Sequence, residues 1–306
     1  MDEDEARRER EAARREREAS WATPVDRYRL GDVPAGAHNA NVEGRQPLGA
    51  HQGFGQLWRK TYGVRLTGAE VTPAQVVEEW RSHFGRFWPA GNEFLAPVDR
   101  ISPGDVALLN LATMGSGGPT LSTGVRVIYA DDESFTFMNP QGHMFAGWIT
   151  FSAYEREGAT SAQVQVLIRT SDPLWEATMR LFGFRKEDAF WHATLRNLAT
   201  HFGVRRVQVW QKNTLVDAKV QWTRWTNVWH NAAIRSFVYD VGAATRRLLR
   251  QAQAARSSRR ADRAAQPEET TGMDASIPPA GPASGAAGAA RTARSDETGG
   301  ASRHAA

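Results

Sequence analysis

LSTGVRVIYADDESFTFMNPQGHMFAGWITFSAYEREGATSAQVQVLIR, residues 121–169, decides the fold. Leu121, Thr123, Val125, Val127 and Tyr129 fall on one face of a strand that stops at Asp131-Asp132. Phe135 and Phe137 share a face of the next, which ends at Asn139-Pro140-Gln141-Gly142. Met144–Tyr154 and Ala162–Arg169 form a further pair across Glu155–Thr160, with Val164, Val166 and Ile168 on one side. Period-two segments joined by turn residues, with no helix-length crossover between them, predict an antiparallel sheet.

Outward from this block the pattern continues. Toward the N-terminus, Asp105–Met114 reads as a strand ending in the Gly115-Ser116-Gly117-Gly118-Pro119 turn, and Asn92–Arg100 as another before Pro103-Gly104. Thr72-Pro73 supplies a cap and a first-turn proline for a helix carrying Val76, Val77, Trp80, Phe84 and Phe87, closed by Pro89 and Gly91. Leu57–Val64 alternates as a first strand. On the other side, Ser171-Asp172-Pro173 opens a long helix bearing Leu174, Trp175, Met179, Phe182, Phe190, Trp191, Leu195, Leu198 and Phe202, with a break or bend expected at Gly183. Seven antiparallel strands and one aromatic helix must bury their apolar faces on each other. Val207, Val209 and Trp210 suggest a short extra strand. From Leu215 a second helical stripe is expected through Trp222, Trp225, Trp229, Ala233, Phe237, Val241, Ala244 and Leu248.

Composition sets the limits. The chain has 306 residues, and its Trp and Phe are concentrated between Phe54 and Phe237. The expected organisation is a charged, mostly disordered segment over 1–52, a domain over 53–204, a helical extension over 205–252 and a disordered Arg/Ala/Gly-rich tail over 253–306. No cysteine is present, which excludes disulfides, thiolate metal sites and cysteine nucleophiles. No apolar run spans a bilayer and the N-terminus lacks a signal-type apolar region, so the cytoplasm is the expected compartment. The net charge of +4 hides a basic block of Arg246, Arg247, Arg250, Arg256, Arg259, Arg260 and Arg263 against Asp262. Such a block is a candidate for weak contact with an anionic membrane or nucleic acid.

The element order, together with Asn139-Pro140-Gln141-Gly142-His143, Phe190-Trp191-His192-Ala193-Thr194-Leu195-Arg196 and Trp229-His230-Asn231-Ala232-Ala233-Ile234-Arg235-Ser236, resembles the START-like (SRPBCC) superfamily. That superfamily includes lipid-transfer domains, birch-pollen-allergen-type proteins and bacterial polyketide cyclases. The resemblance covers roughly residues 54–204. It implies an α+β helix-grip fold with a cavity between the sheet and the long C-terminal helix, accepting apolar ligands. It carries no catalytic signature, and no catalytic residues are assigned.

The local motifs mostly have structural readings. Gly115–Gly118 lacks the Lys-Ser/Thr and helix of a phosphate loop, Asp131-Asp132-Glu133 reads as a turn, and Gly-x-Ser-x-Gly is absent. His192 and His201 are spaced too far apart on one helix for a shared metal, so no metal or cofactor is expected. The function expected is non-covalent binding of a small hydrophobic or amphipathic molecule, an enzyme being the less favoured class. The ligand-contacting candidates are Trp58, Tyr62, Phe137, His143, Trp148, Trp175, Met179, Phe182 and Trp191. A polyketide cyclase or aromatase-like enzyme is the alternative. The Trp/Arg-rich C-terminal region suggests membrane or nucleic-acid association, and a homodimer is a further partner class.

Overall fold

A computed structural model describes residues 19–31, 41–96, 100–112 and 120–264. The Glu/Arg alternation of residues 1–18, the Gly115–Pro119 turn and the tail from 265 onward lie outside the described residues.

The first strand, β1 (Leu57–Arg65), is followed by helix α1 (Pro73–Ser82) and a 3₁₀ turn (Phe84–Phe87). Thr72 caps α1 as expected: its side chain accepts from the Gln75 N–H, the Gln75 side chain returns to the Thr72 N–H, and Pro73 occupies the first turn. Six strands follow: β2 (Glu93–Leu95), β3 (Val106–Ala112), β4 (Thr120–Ala130), β5 (Ser134–Met138), β6 (Phe145–Arg156) and β7 (Ala159–Thr170). Then come α2 (Pro173–Thr178), a turn of π-helix (Met179–Gly183), α3 (Phe184–His201), β8 (Val209–Asp217), a second 3₁₀ segment (Trp222–His230) and α4 (Ala232–Ala264). The described residues divide into two units at Arg250/Gln251, within α4.

All eight strands join one antiparallel sheet in the order β2-β3-β4-β5-β6-β7-β1-β8. Register assigns the faces. Phe135 opposes Phe151, Phe151 opposes Val164, and Val164 opposes Tyr62, so these residues share the face that receives α1 and α3. Trp80 of α1 meets Phe135 and Phe151 edge-on at 6.0 and 5.3 Å. Trp191 of α3 meets Phe151 at 5.6 Å. A register shift between Val127 and Tyr129 marks a bulge in β4.

Three expectations change. The sheet has eight strands, not seven, because Val209–Asp217 pairs along the whole of β1. The helical stripe expected from Leu215 begins later: Leu215 opposes Trp58 in β8, and helix resumes only at Trp222, in 3₁₀ form. The strand expected over Asn92–Arg100 contracts to Glu93–Leu95.

Part of the N-terminal segment over 1–52 is also built into the fold. Tyr28 is fully buried on the outer face with Val42, Val106 and Leu108, and its hydroxyl donates to the Met138 carbonyl at 2.9 Å. Trp21 bridges to Tyr129, and Pro47 to Pro140.

Candidate functional site

Two features on the helix side of the sheet combine burial or concavity with chemistry. The first is a charged cluster. Lys60 and Tyr62 are two apart on β1 and point to the same face, toward one turn of α3. Lys60 Nζ donates to Glu187 Oε2 at 2.6 Å and Asp188 Oδ1 at 2.9 Å, and the Tyr62 hydroxyl donates to Asp188 Oδ1 at 2.6 Å. Lys60 Nζ also stands 4.7 Å from the Phe184 ring centroid. His192 contacts the Gln211 side chain of β8 at 2.9 Å, and its ring lies 5.9 Å from that of Tyr62.

The Lys60 and Glu187 side chains are only 4% and 7% exposed, so both charges are removed from water. Burial pushes the Glu187 carboxyl up against the pull of Lys60, and Glu187 Oε1 has no hydrogen-bond partner. Burial also pushes Asp188 upward, but hydrogen bonds from Tyr62 and Lys60 outweigh it and hold that carboxyl low. Burial, then the Glu187 charge and the bond to Asp188, raise the Tyr62 phenol. Two carboxylates with opposite shifts can divide donor and acceptor roles. Through these contacts the pair holds α3 on β1, with Glu187 turned inward and the Asp188 side chain 29% exposed.

The second feature is a cleft of about 520 Å³ at the end of α1. Phe84, Phe94, Ala96 and Ile101 give it apolar walls, and Arg81, Arg86 and Arg100 line it with cationic groups beside His83. Arg81 is held in place: its guanidinium donates to the Ile101 carbonyl at 3.1 and 2.7 Å and to the Asp131 carbonyl at 2.9 Å. Arg100 pairs with Glu78 at 2.5 Å, both side chains about half exposed. Such an exposed pair is worth about 0–1 kcal/mol and exchanges readily for another anion.

The expected contact residues do not converge on one cavity. Tyr62, Phe137, Met179 and Trp191 are buried on the helix side, packed among rings. Phe137 lies 5.2 Å from Phe84 and 5.8 Å from Phe94, which makes it the layer beneath the cleft. Trp58 is on the same face at the β8 end, opposite Ile168. Trp148 opposes Leu167 and Met138 and so stands on the outer face, because it is out of phase with Ile149 and Phe151. Phe182 is 64% exposed, turned outward by the π turn. Trp175 packs apart from these, with Leu121 and Ala232.

His143 is buried rather than at a mouth. Its Nδ1 accepts the Phe145 N–H at 3.0 Å, and burial pushes the imidazole down to about 4, so it is neutral. Its neighbours explain two of the stretches that carry the resemblance. Gly142 O accepts the Ala232 N–H at 2.9 Å, Asn231 donates to Asp172 Oδ2 at 3.0 Å, and Arg45 contacts His230 Nδ1 at 3.3 Å. Asn139–His143 and Trp229–Ser236 thus fasten the C-terminal extension to the sheet. Lys60, Glu187 and Asp188 were missed because charged residues at alternating or helical spacing normally mark a solvated face. The one available signal was Lys60 lying in phase with Trp58, Tyr62 and Val64.

No protein-family model matches the sequence, and no curated protein does. Solved structures are similar at low identity. The di-domain ARO/CYC BexL from the BE-7585A biosynthetic pathway is 19% identical, over 49% of this chain and 52% of that one, with a TM-score of 0.35. The di-domain ARO/CYC StfQ from the steffimycin biosynthetic pathway is 10% identical over 48% and 50%, with a TM-score of 0.36. Ara h 8.0201 is 11% identical over 48% and 97%, with a TM-score of 0.35. The chain spans about half the length of each di-domain protein. The fold is a helix grip, an antiparallel sheet with a long helix seated across it. Its strand order and the seating of α3 across the sheet establish this, and the likeness is one of fold alone.

Proposed function

We propose that the protein binds a small amphipathic molecule with an anionic head in the cleft at the end of α1. The observation that carries this reading is the juxtaposition of Phe84, Phe94 and Ile101 with Arg86 and Arg100 around one cleft. Its volume falls within the range of small-ligand sites. Apolar burial of the ligand tail would contribute about 25 cal/mol for each Å² removed from water. The anionic head would take over Arg100 from Glu78 and meet Arg86 at the rim. The helix-side interior is a poorer place for a ligand. Phe84, Phe135, Phe137 and Phe151 already meet there at ring separations of 4.8 to 5.6 Å, against Trp80 and Trp191.

Titration of the full chain with dodecanoate and with dodecanol, followed by calorimetry, tests the reading. The acid is expected to bind and the alcohol to bind about tenfold more weakly, a difference of about 1.4 kcal/mol. Ala96→Trp should abolish binding by filling the cleft, and Arg86→Glu should weaken the acid but not the alcohol. Undiminished dodecanoate binding by Ala96→Trp, or none by the wild type, would sink it.

A further inference from the structure

The segment Trp222–His230 has its amphipathicity turned inside out. Its polar groups hold the protein: the Asn227 amide donates to the Gln52 and Ser171 carbonyls, both at 2.8 Å, and the Gln221 N–H just before it donates to the Phe54 carbonyl at 2.7 Å. Its rings face water. Trp222, Trp225 and Trp229 are 71%, 52% and 73% exposed, although Trp222 keeps an edge contact with Phe54 at 5.2 Å. In 3₁₀ geometry residues three apart eclipse, so Trp222 and Trp225 project from one edge. Ile234, Phe237 and Val238 follow on α4 at helical spacing and are also exposed. A monomer in water gains nothing from holding six large apolar side chains out on a hydrogen-bonded support.

Charge says what covers them. Between Ala218 and Tyr239 the sequence carries Lys219, Arg224 and Arg235 and no acidic residue. A second copy brings the same sign to the same face and is repelled. A nucleic acid has the right sign, but Ile234 and Val238 have no flat surface on which bases stack. Exposed indoles beside cations are what the headgroup region of an anionic bilayer accommodates. No helix of the described residues is long and apolar enough to cross a membrane, so the contact is peripheral.

We propose that Trp222, Trp225, Trp229 and the Ile234–Val238 turn of α4 form a docking face for an anionic membrane surface, with Arg224 at the headgroups. The face is independent of the cleft at α1. The test is co-sedimentation of the full chain with phosphatidylcholine vesicles and with vesicles containing about one quarter phosphatidylglycerol. Binding is expected only to the anionic vesicles, with a blue shift of tryptophan emission, and falling steeply between about 0.1 and about 0.5 M salt. Trp225→Ser with Trp229→Ser should weaken partitioning about tenfold or more while leaving the protein folded, since both side chains are at least half exposed. Arg224→Glu should weaken it without changing the apolar area. No partitioning of folded protein would overturn the proposal. So would a concentration-dependent dimer abolished by the same double variant, or a single-stranded oligonucleotide bound as tightly as the vesicles.

Discussion

Lys60 shows what one buried charge asks of its neighbours. Its ammonium meets two carboxylates, and removing it leaves Glu187 buried beside Asp188 with no cation. Lys60→Met is therefore expected to cost about 3–5 kcal/mol in a urea titration, and Lys60→Met with Glu187→Leu to recover most of that loss. A near-neutral single substitution would show that Glu187 is protonated and Lys60 dispensable. His143 gives a pH effect of known sign. Burial lowers its folded value to about 4, against about 6.5 in the unfolded chain. A depressed histidine stabilises the folded state above its unfolded value and loses that contribution as pH falls, here between about 6.5 and about 4, at about 1.4 kcal/mol per unit. Glu187 is raised, so its contribution is present at low pH and lost as pH rises through its folded value, the opposite slope. Comparing wild type with His143→Gln isolates the histidine: the variant should lose less stability across that window. At this scale the sequence was least legible. Tyr62 was singled out, but Glu187 and Asp188 sit among Arg185 and Lys186 and look like a solvated face until β1 lies against them.

Elements were easier to read, and their joints were not. Thr72 and Asp172 start their helices as their caps require, since the Asp172 carboxylate accepts the Leu174 and Trp175 N–H groups at 2.9 and 3.0 Å. The break expected at Gly183 takes the form of a π turn over Met179–Gly183, where a β-carbon on Gly183 would lie 2.1 Å from Met179 Sδ. The extra strand suggested by Val207, Val209 and Trp210 runs on to Asp217, and Leu215 misled because it fits a helical stripe with Trp222 and Trp225 as well as a strand; only pairing with β1 selects period two. Gly63 makes that pairing feasible, since a β-carbon there would meet the Trp210 indole at 2.2 Å. The joint between β5–β6 and α4 turns on Gly142. Its φ is +94°, and a β-carbon would lie 2.0 Å from the His230 carbonyl oxygen. Gly142→Ala should therefore detach the extension, at a cost of about 1–3 kcal/mol from the backbone alone. Amide exchange should rise first over Trp222–Phe237, ahead of the β6–β7 pair. Uniform loss of protection would mean that the extension is no separable element.

In the whole molecule, β8 and the second 3₁₀ segment complete a sheet that would otherwise end at β1. The Arg169 guanidinium donates to the Gly55 and Lys219 carbonyls at 2.6 and 2.8 Å and pairs with Asp217, tying the end of β8 to β7. A chain stopped after Val204 would present the nine residues of β1 as an open edge. We expect it to aggregate, measured as light scattering at equal concentration, where the full chain stays dispersed. A monodisperse fragment would show that β8 is an accessory strand.

The sequence by itself determined the antiparallel sheet, the aromatic helix laid on it and the residues that start α1 and α2. Those follow from side-chain period and from capping groups a few residues away. The tertiary structure alone decided which rings fill the grip and which face water, that Lys60 meets Glu187, and that Arg81, Arg86 and Arg100 gather with Phe84 and Phe94 around one cleft. Those depend on residues brought together from distant parts of the chain, and a local pattern carries no information about what will stand opposite it.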